Sequence, residues 1–268
     1  TLISLLIAGR SVRDVQDDAG THAAIMEFNI RRYLGVVKEK NVYILLILKF
    51  LGAIATGSLS AALPYFAEHI LGDPSKSTYG LAIYVAVSAL VIPLWNKSTQ
   101  RFDKRRLLLI GCSVTAFVLL AVGLFVDENS VPWYYLGCVL LGLAMSSYLL
   151  IPYSLVPDQV DYYEHKTGER HESVFFGLWI TVHQLGISFA GLILGAALDL
   201  FGYRGDAATQ TESALIAVRL AFGIIPGLFF VLTALVLQRY QVTRQVYQQV
   251  RAELDQRAAQ AVTDQVGG

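Results

Sequence analysis

The chain has 268 residues, a formal net charge of zero, 54% hydrophobic residues and 16% charged residues, with a mean hydropathy of +0.51. Soluble chains carry roughly 25% charged residues, so an ordinary water-soluble domain is excluded, and the balanced charge gives no reason to expect a nucleic-acid partner. The charges cluster between long apolar runs, which is the composition of an all-α, polytopic membrane helix bundle.

In chain order, the apolar stub 1–9 is too short to cross about 30 Å of hydrocarbon at 1.5 Å per residue. It also lacks the basic leader and small-residue cleavage pattern of a signal peptide. Residues 1–41 therefore read as the end of a preceding helix followed by a central cytoplasmic loop, and the chain as a fragment. Six spanning helices are expected at Val42–Phe66, Tyr79–Trp95, Leu107–Val126, Val131–Val156, Val174–Leu198 and Ala214–Leu237, each in the length range a membrane span needs. The runs are continuous and do not alternate with period two, which implies helices and not barrel strands. Short loops predict that sequential helices are antiparallel neighbours. Prolines and glycines within spans mark bends that can line a cavity; Tyr148 sits one turn before Pro152, and Pro157 is expected to close the fourth helix.

Lysine and arginine fix the expected sidedness. Arg31, Arg32, Lys38 and Lys40 precede the first span, Lys97 to Arg106 follow the second, Lys166 and Arg170 follow the fourth, and Arg239 to Arg257 follow the sixth, whereas the alternate loops hold only Lys76 and Arg204. The positive-inside rule places both ends and loops 96–106 and 157–173 in the cytoplasm, and a plasma (inner) membrane is the expected location. Residues 42–238 then form the six-helix bundle and 239–268 a cytoplasmic tail, in which Val242, Val246, Val250, Leu254 and Ala258 recur every four residues as in an amphipathic helix.

No Walker loop, dinucleotide fingerprint, zinc-protease motif or nucleophile elbow with partners occurs, so no enzyme, metal site or cofactor is expected. Cys112 and Cys138 lie in apolar runs and read as small buried hydrophobes. No acidic residue lies in mid-span, although ion coupling usually uses an intramembrane carboxylate. Two cations do lie within spans, Lys49 and Arg219, and both are expected to snorkel to an interface. In the fifth span Thr181, Gln184, Ser188, Gly191 and Gly195 share a stripe, with the two glycines predicting close helix packing. Trp179, His183 and Gln184, with Tyr148 of the fourth span, offer a stacking surface and donors suited to a polyhydroxylated ligand. After the fourth span, Asp158, Asp161, Glu164, Lys166, Glu169, Arg170 and Glu172 mix both signs densely. With Arg101, Asp103 and Arg105 of the earlier basic loop they are expected to form ion pairs that break when helices rock.

The segment Asp158, Asp161, Tyr162, Thr167, Gly168 and Arg170 resembles the Asp-x-x-Asp-Tyr-x-x-x-x-Thr-Gly-x-Arg pattern of the glycoside–pentoside–hexuronide:cation symporters. This is the melibiose-permease branch of the major facilitator superfamily. Gly202-Tyr203 and the basic loop 96–106 support the resemblance. It implies helices seven to twelve of a twelve-helix carrier, the C-terminal half of a symporter for sugars, glycosides or uronides. Its implied partners are the small-molecule solute, membrane lipid and the N-terminal half of the same transporter. The coupling Na+ or H+ would be held by carboxylates of that other half. Lysolipid carriers share the loop pattern, so a lysolipid or other organic solute is the alternative, and a transport-dead scaffold or sensor a further one. Where the family commonly has Lys-Leu in its eleventh helix, this chain has Gln184-Leu185. A neutral amide cannot move a charge, and adjacent His183 is the expected substitute in proton-linked transport.

Overall fold

The computed structural model describes residues 35–205, 207 and 209–267; most of the helix end and loop expected over residues 1–41 lies outside them. Among the described residues six helices are long and apolar enough to cross a membrane: α1 (Lys40–His69), α2 (Ser75–Arg101), α3 (Lys104–Phe125), α4 (Val131–Thr167), α5 (Glu172–Leu200) and α6 (Glu212–Leu237). A last helix, α7 (Arg244–Gly267), is polar. No strand occurs among the described residues. The protein is an integral, multi-pass, all-α membrane bundle.

Helix starts follow local chemistry. Glu39 caps α1 by accepting from the backbone N–H of Asn41 and Val42, Asp103 caps α3 through Arg105 and Arg106, and Thr211 caps α6 through Ala214, each satisfying N–H groups that the first turn leaves free. The fourth helix does not stop at Pro157. It runs on to Thr167 and ends at Gly168, whose φ of 77° is the left-handed C-cap that glycine tolerates. Val156 and Val160 are fully buried in this extension, and their packing outweighs the one backbone hydrogen bond that an internal proline removes. The expected polar loop is thus chiefly helix, leaving Gly168 to His171 as the connection.

Sequence neighbours are mostly not spatial neighbours. The extensive contacts are α1 with α5, α2 with α4, α3 with α4, α1 with α6, and α3 with α6. Exchanging α1–α3 for α4–α6 maps this set onto itself, the signature of an inverted three-helix repeat. Short loops constrain only where a helix starts. Its face chooses the partner.

That choice is written in small residues. A Cβ on Gly186 of α5 would come within 2.6 Å of the Ala53 Cβ of α1, and one on Gly57 within 2.8 Å of the Ala190 Cβ, so these two helices approach almost backbone to backbone. Gly191 and Gly195 have open space at the same test; the predicted close-packing pair is not at a described helix contact. On α6 a π-helical turn, Leu220–Ile224, brings Gly223 against Gly123 of α3, where either added Cβ would lie 2.7 Å from the other residue's Cα. Cys112 and Cys138 are buried free thiols.

Candidate functional site

A half-open cavity of about 650 Å³ is lined by α1, α2, α4, α5 and Phe222 of α6. Its walls are mostly apolar: Leu59, Leu63, Leu81, Leu141, Met145 and Ile187 are representative. Its wall on α1 runs from Lys49 to Leu63, about 20 Å at 1.5 Å per residue. Several polar groups in the wall are already committed. Thr56 donates to the Gly52 carbonyl of its own helix at 3.0 Å, Tyr148 to the Lys49 carbonyl at 3.4 Å, and Tyr134 to the Lys76 carbonyl at 3.3 Å.

Lys49 stands at one end of this wall and does not snorkel. It is 2% exposed, and its Nζ lies 4.7 Å from the ring centre of Tyr153, 4.8 Å from Trp179 and 5.8 Å from Tyr148. Aromatic faces attract a cation by about 0.5–2 kcal/mol each, which holds the ammonium inside where an aliphatic wall would expel it. Lys49 forms no ion pair among the described residues. Beside it, Trp179 Nε1 and His183 Nδ1 are buried without a hydrogen-bond partner.

Of the expected solute contacts, Tyr148 and His183 line the cavity. Trp179 is 1% exposed and stands behind the wall, its ring edge-on to Tyr153 and its face on Lys49. Gln184 is exposed and away from the cavity. Lys49 itself was legible only as an intramembrane charge, since its cage is drawn from α4 and α5, about a hundred residues or more along the chain.

Arg219 reaches toward a helix end, as a snorkelling cation does, and finds fixed partners there. Its guanidinium donates to the carbonyls of Gly123 at 3.1 Å and Val126 at 2.8 Å, the free carbonyls at the end of α3, where a cation also complements the helix dipole.

The charged residues of the basic loops gather at one end of the bundle. Lys104 pairs with Asp158 at 2.6 Å and donates to the Ser154 carbonyl at 3.1 Å. Arg170 pairs with Asp161 at 2.9 Å and Glu164 at 2.6 Å, and these two carboxylates, Glu164 foremost, hold its pKa above the ordinary arginine value. Asp161 also accepts from Tyr247 and Arg251 of α7, both at 3.4 Å. Arg105 donates to the Gln238 carbonyl and Arg244 to the Arg101 carbonyl, while Asp103 accepts from the Arg244 N–H at 3.2 Å. Of the expected gate residues, Asp158, Asp161 and Arg170 form ion pairs, joined by Lys104 of the expected basic loop and by Arg251 of the tail, whereas Arg101, Asp103 and Arg105 form none among the described residues. The tail is part of this end: Val242 and Val250 are buried and His165 meets Glu253 at 2.5 Å, so α7 packs on the α4 extension.

A membrane helix bundle with an open cleft of solute size along one side and clustered ion pairs at one end is the architecture expected of a membrane carrier. The chain belongs to the family described as MFS/sugar transport protein, whose model matches residues 11–244, and that family consists of transporters, not enzymes. It is 29% identical over 212 residues to an uncharacterised symporter of Synechocystis sp., covering 76% of this chain and 38% of that protein. It is 26% identical over 226 residues to the uncharacterised symporter YjmB of Bacillus subtilis, covering 83% and 48%. It is 27% identical over 216 residues to the sodium-dependent lysophosphatidylcholine symporter 1 of Gallus gallus, covering 79% and 40%. In each of these three the match spans less than half of the relative's length.

Proposed function

We propose that the chain is the C-terminal half of a symporter that moves an amphipathic organic solute by alternating access. Lysolipid-like molecules and glycosides with an apolar aglycone are the solute classes that fit. The observation that carries this reading is the shape and lining of the cavity: an elongated, mostly apolar wall with its one charge at one end. A free sugar needs many convergent donors and acceptors, whereas this wall is chiefly apolar and three of its hydroxyls, on Thr56, Tyr134 and Tyr148, donate to the protein's own carbonyls. The similarity to a lysophosphatidylcholine symporter supports the same solute class.

The N-terminal half is the partner. On α5 Thr181 and Ser188 bond to carbonyls of their own helix at 2.9 and 3.0 Å, but exposed Gln184 has no such bond among the described residues. A bare amide facing lipid costs several kcal/mol, so protein from the other half covers this face. The coupling cation, Na+ or H+, belongs to that half too. The end carrying Asp158, Asp161 and Arg170 is the cytoplasmic one in a plasma (inner) membrane, and its ion pairs act as the inner gate. The second reading, transport of a free sugar or uronide, draws on the family description.

Uptake into vesicles carrying the complete transporter tests both. A lysophospholipid or alkyl glycoside should accumulate in a cation-dependent way, and the free sugar much less. Accumulation of free sugars or uronides without any amphiphile uptake would overturn the proposal in favour of the second reading.

A further inference from the structure

A buried ammonium without a counter-charge is costly in hydrocarbon, yet the bundle builds a dedicated box for one. Lys49 has three N–H donors, none engaged by an acceptor among the described residues. Tyr153, Trp179 and Tyr148 stabilise its charge through their faces and take up none of those donors. The contrast with Lys104 is direct: that side chain also lies against an aromatic ring, Tyr247 at 5.7 Å, but holds Asp158 at 2.6 Å. The acids that follow Tyr153 on α4, Asp158 and Asp161, are both occupied by other cations.

Two further polar groups beside Lys49 are unspent, Trp179 Nε1–H and His183 Nδ1, one turn apart on α5. A neutral hydroxyl group could bond to such a cluster but would leave the charge uncompensated. An oxyanion satisfies both the charge and the donors, and charge-assisted bonds are roughly twice as strong as neutral ones.

We infer that Lys49 determines specificity for the head group of the solute by binding a single oxyanion, a carboxylate or a phosphate ester, at the caged end of the cavity. His183, which lines the cavity, supplies a neighbouring polar contact, Trp179 holds the ammonium from behind, and the apolar body of the solute extends along α1 toward Leu63. The inference rests on the proposal that this cavity is the solute site.

The test is equilibrium binding to the complete transporter in lipid nanodiscs, by calorimetry, with probes that share one tail. Dodecyl glucoside, dodecyl glucuronide and dodecyl phosphate differ at the head, and glucuronate lacks the tail. The wild type should bind the two anionic probes at least about tenfold tighter than the glucoside. Lys49→Gln and Lys49→Met should bring that preference to within about twofold through weaker binding of the anionic probes, and Lys49→Arg should keep part of it. The tighter anion identifies which oxyanion the site prefers. A preference that survives both neutral variants overturns the role of Lys49 and leaves the cavity reading standing. Glucuronate competing as well as its dodecyl derivative overturns the amphiphile reading and leaves Lys49 in place. If no alkyl probe binds, both fall. A thermal midpoint close to that of the wild type shows that the variants are folded.

Discussion

Lys49 and Arg219 are alike in sequence, each a lone cation among apolar residues of a spanning helix, and the bundle treats them in opposite ways. Arg219 spends its guanidinium on the carbonyls of Gly123 and Val126, so its charge is absorbed into the end of another helix. Lys49 is surrounded by ring faces and keeps its donors. One site is closed by the fold, and the other is left open to a ligand. The difference teaches that an intramembrane charge is diagnostic of function only once its partners are known, because satisfied charges hold structure and unsatisfied ones await something.

The comparison can be broken by mutation. The largest effect is expected at the crossing that delivers Arg219 to its acceptors: Gly223→Val would drive side-chain atoms into the Leu119 carbonyl, which lies 2.7 Å from even a bare Cβ. A loss of about 3 kcal/mol should appear as a large fall in thermal midpoint and in yield of folded protein. Arg219→Met should cost about 2 kcal/mol by leaving two helix-end carbonyls unpaired, read by the same melting curve. Lys49→Met should leave stability within about 1 kcal/mol of wild type or raise it, since it removes a desolvated charge. A melting loss at Lys49 as large as that at Arg219 would erase the distinction between the two sites.

Smaller effects are expected at the ion-pair end. Asp161→Asn removes one charge from contacts with Arg170 and Arg251, whose side chains are about half exposed, so its cost should be about 1 kcal/mol. Because Tyr247 and Arg251 lie on α7, the clearest readout is faster hydrogen exchange in residues 244–257, with the spanning helices unchanged. Unaltered exchange there would show that apolar packing alone holds the tail.

Much of the bundle was legible in the sequence because the bilayer imposes one simple rule. A run of apolar residues long enough to cross must be helical, and Val131 and Leu237 fall where the structure begins and ends helices. Helix partners were not legible. Gly186 and Gly57 form the α1–α5 contact while Gly191 and Gly195 stand free, yet all are small residues at helical spacing. Pro157 misled because local propensity ignores the burial of Val156 and Val160. The candidate site was half legible for the same reason: Tyr148 and His183 reach the cavity, whereas Gln184, next in sequence to His183, points elsewhere because adjacent residues on a helix lie about 100° apart.

By itself the sequence determined the spans of the described residues, their approximate ends and the segregation of charge into alternating loops, since these depend on transfer from water to hydrocarbon residue by residue, and a short charged motif carried the resemblance to the carrier family. Tertiary structure decided which helices touch, that the Asp158–Thr167 segment is helix, and which of two equivalent cations is free. Those outcomes depend on side chains distant in the chain meeting in a low-dielectric interior, where a single partner changes what a charge can do.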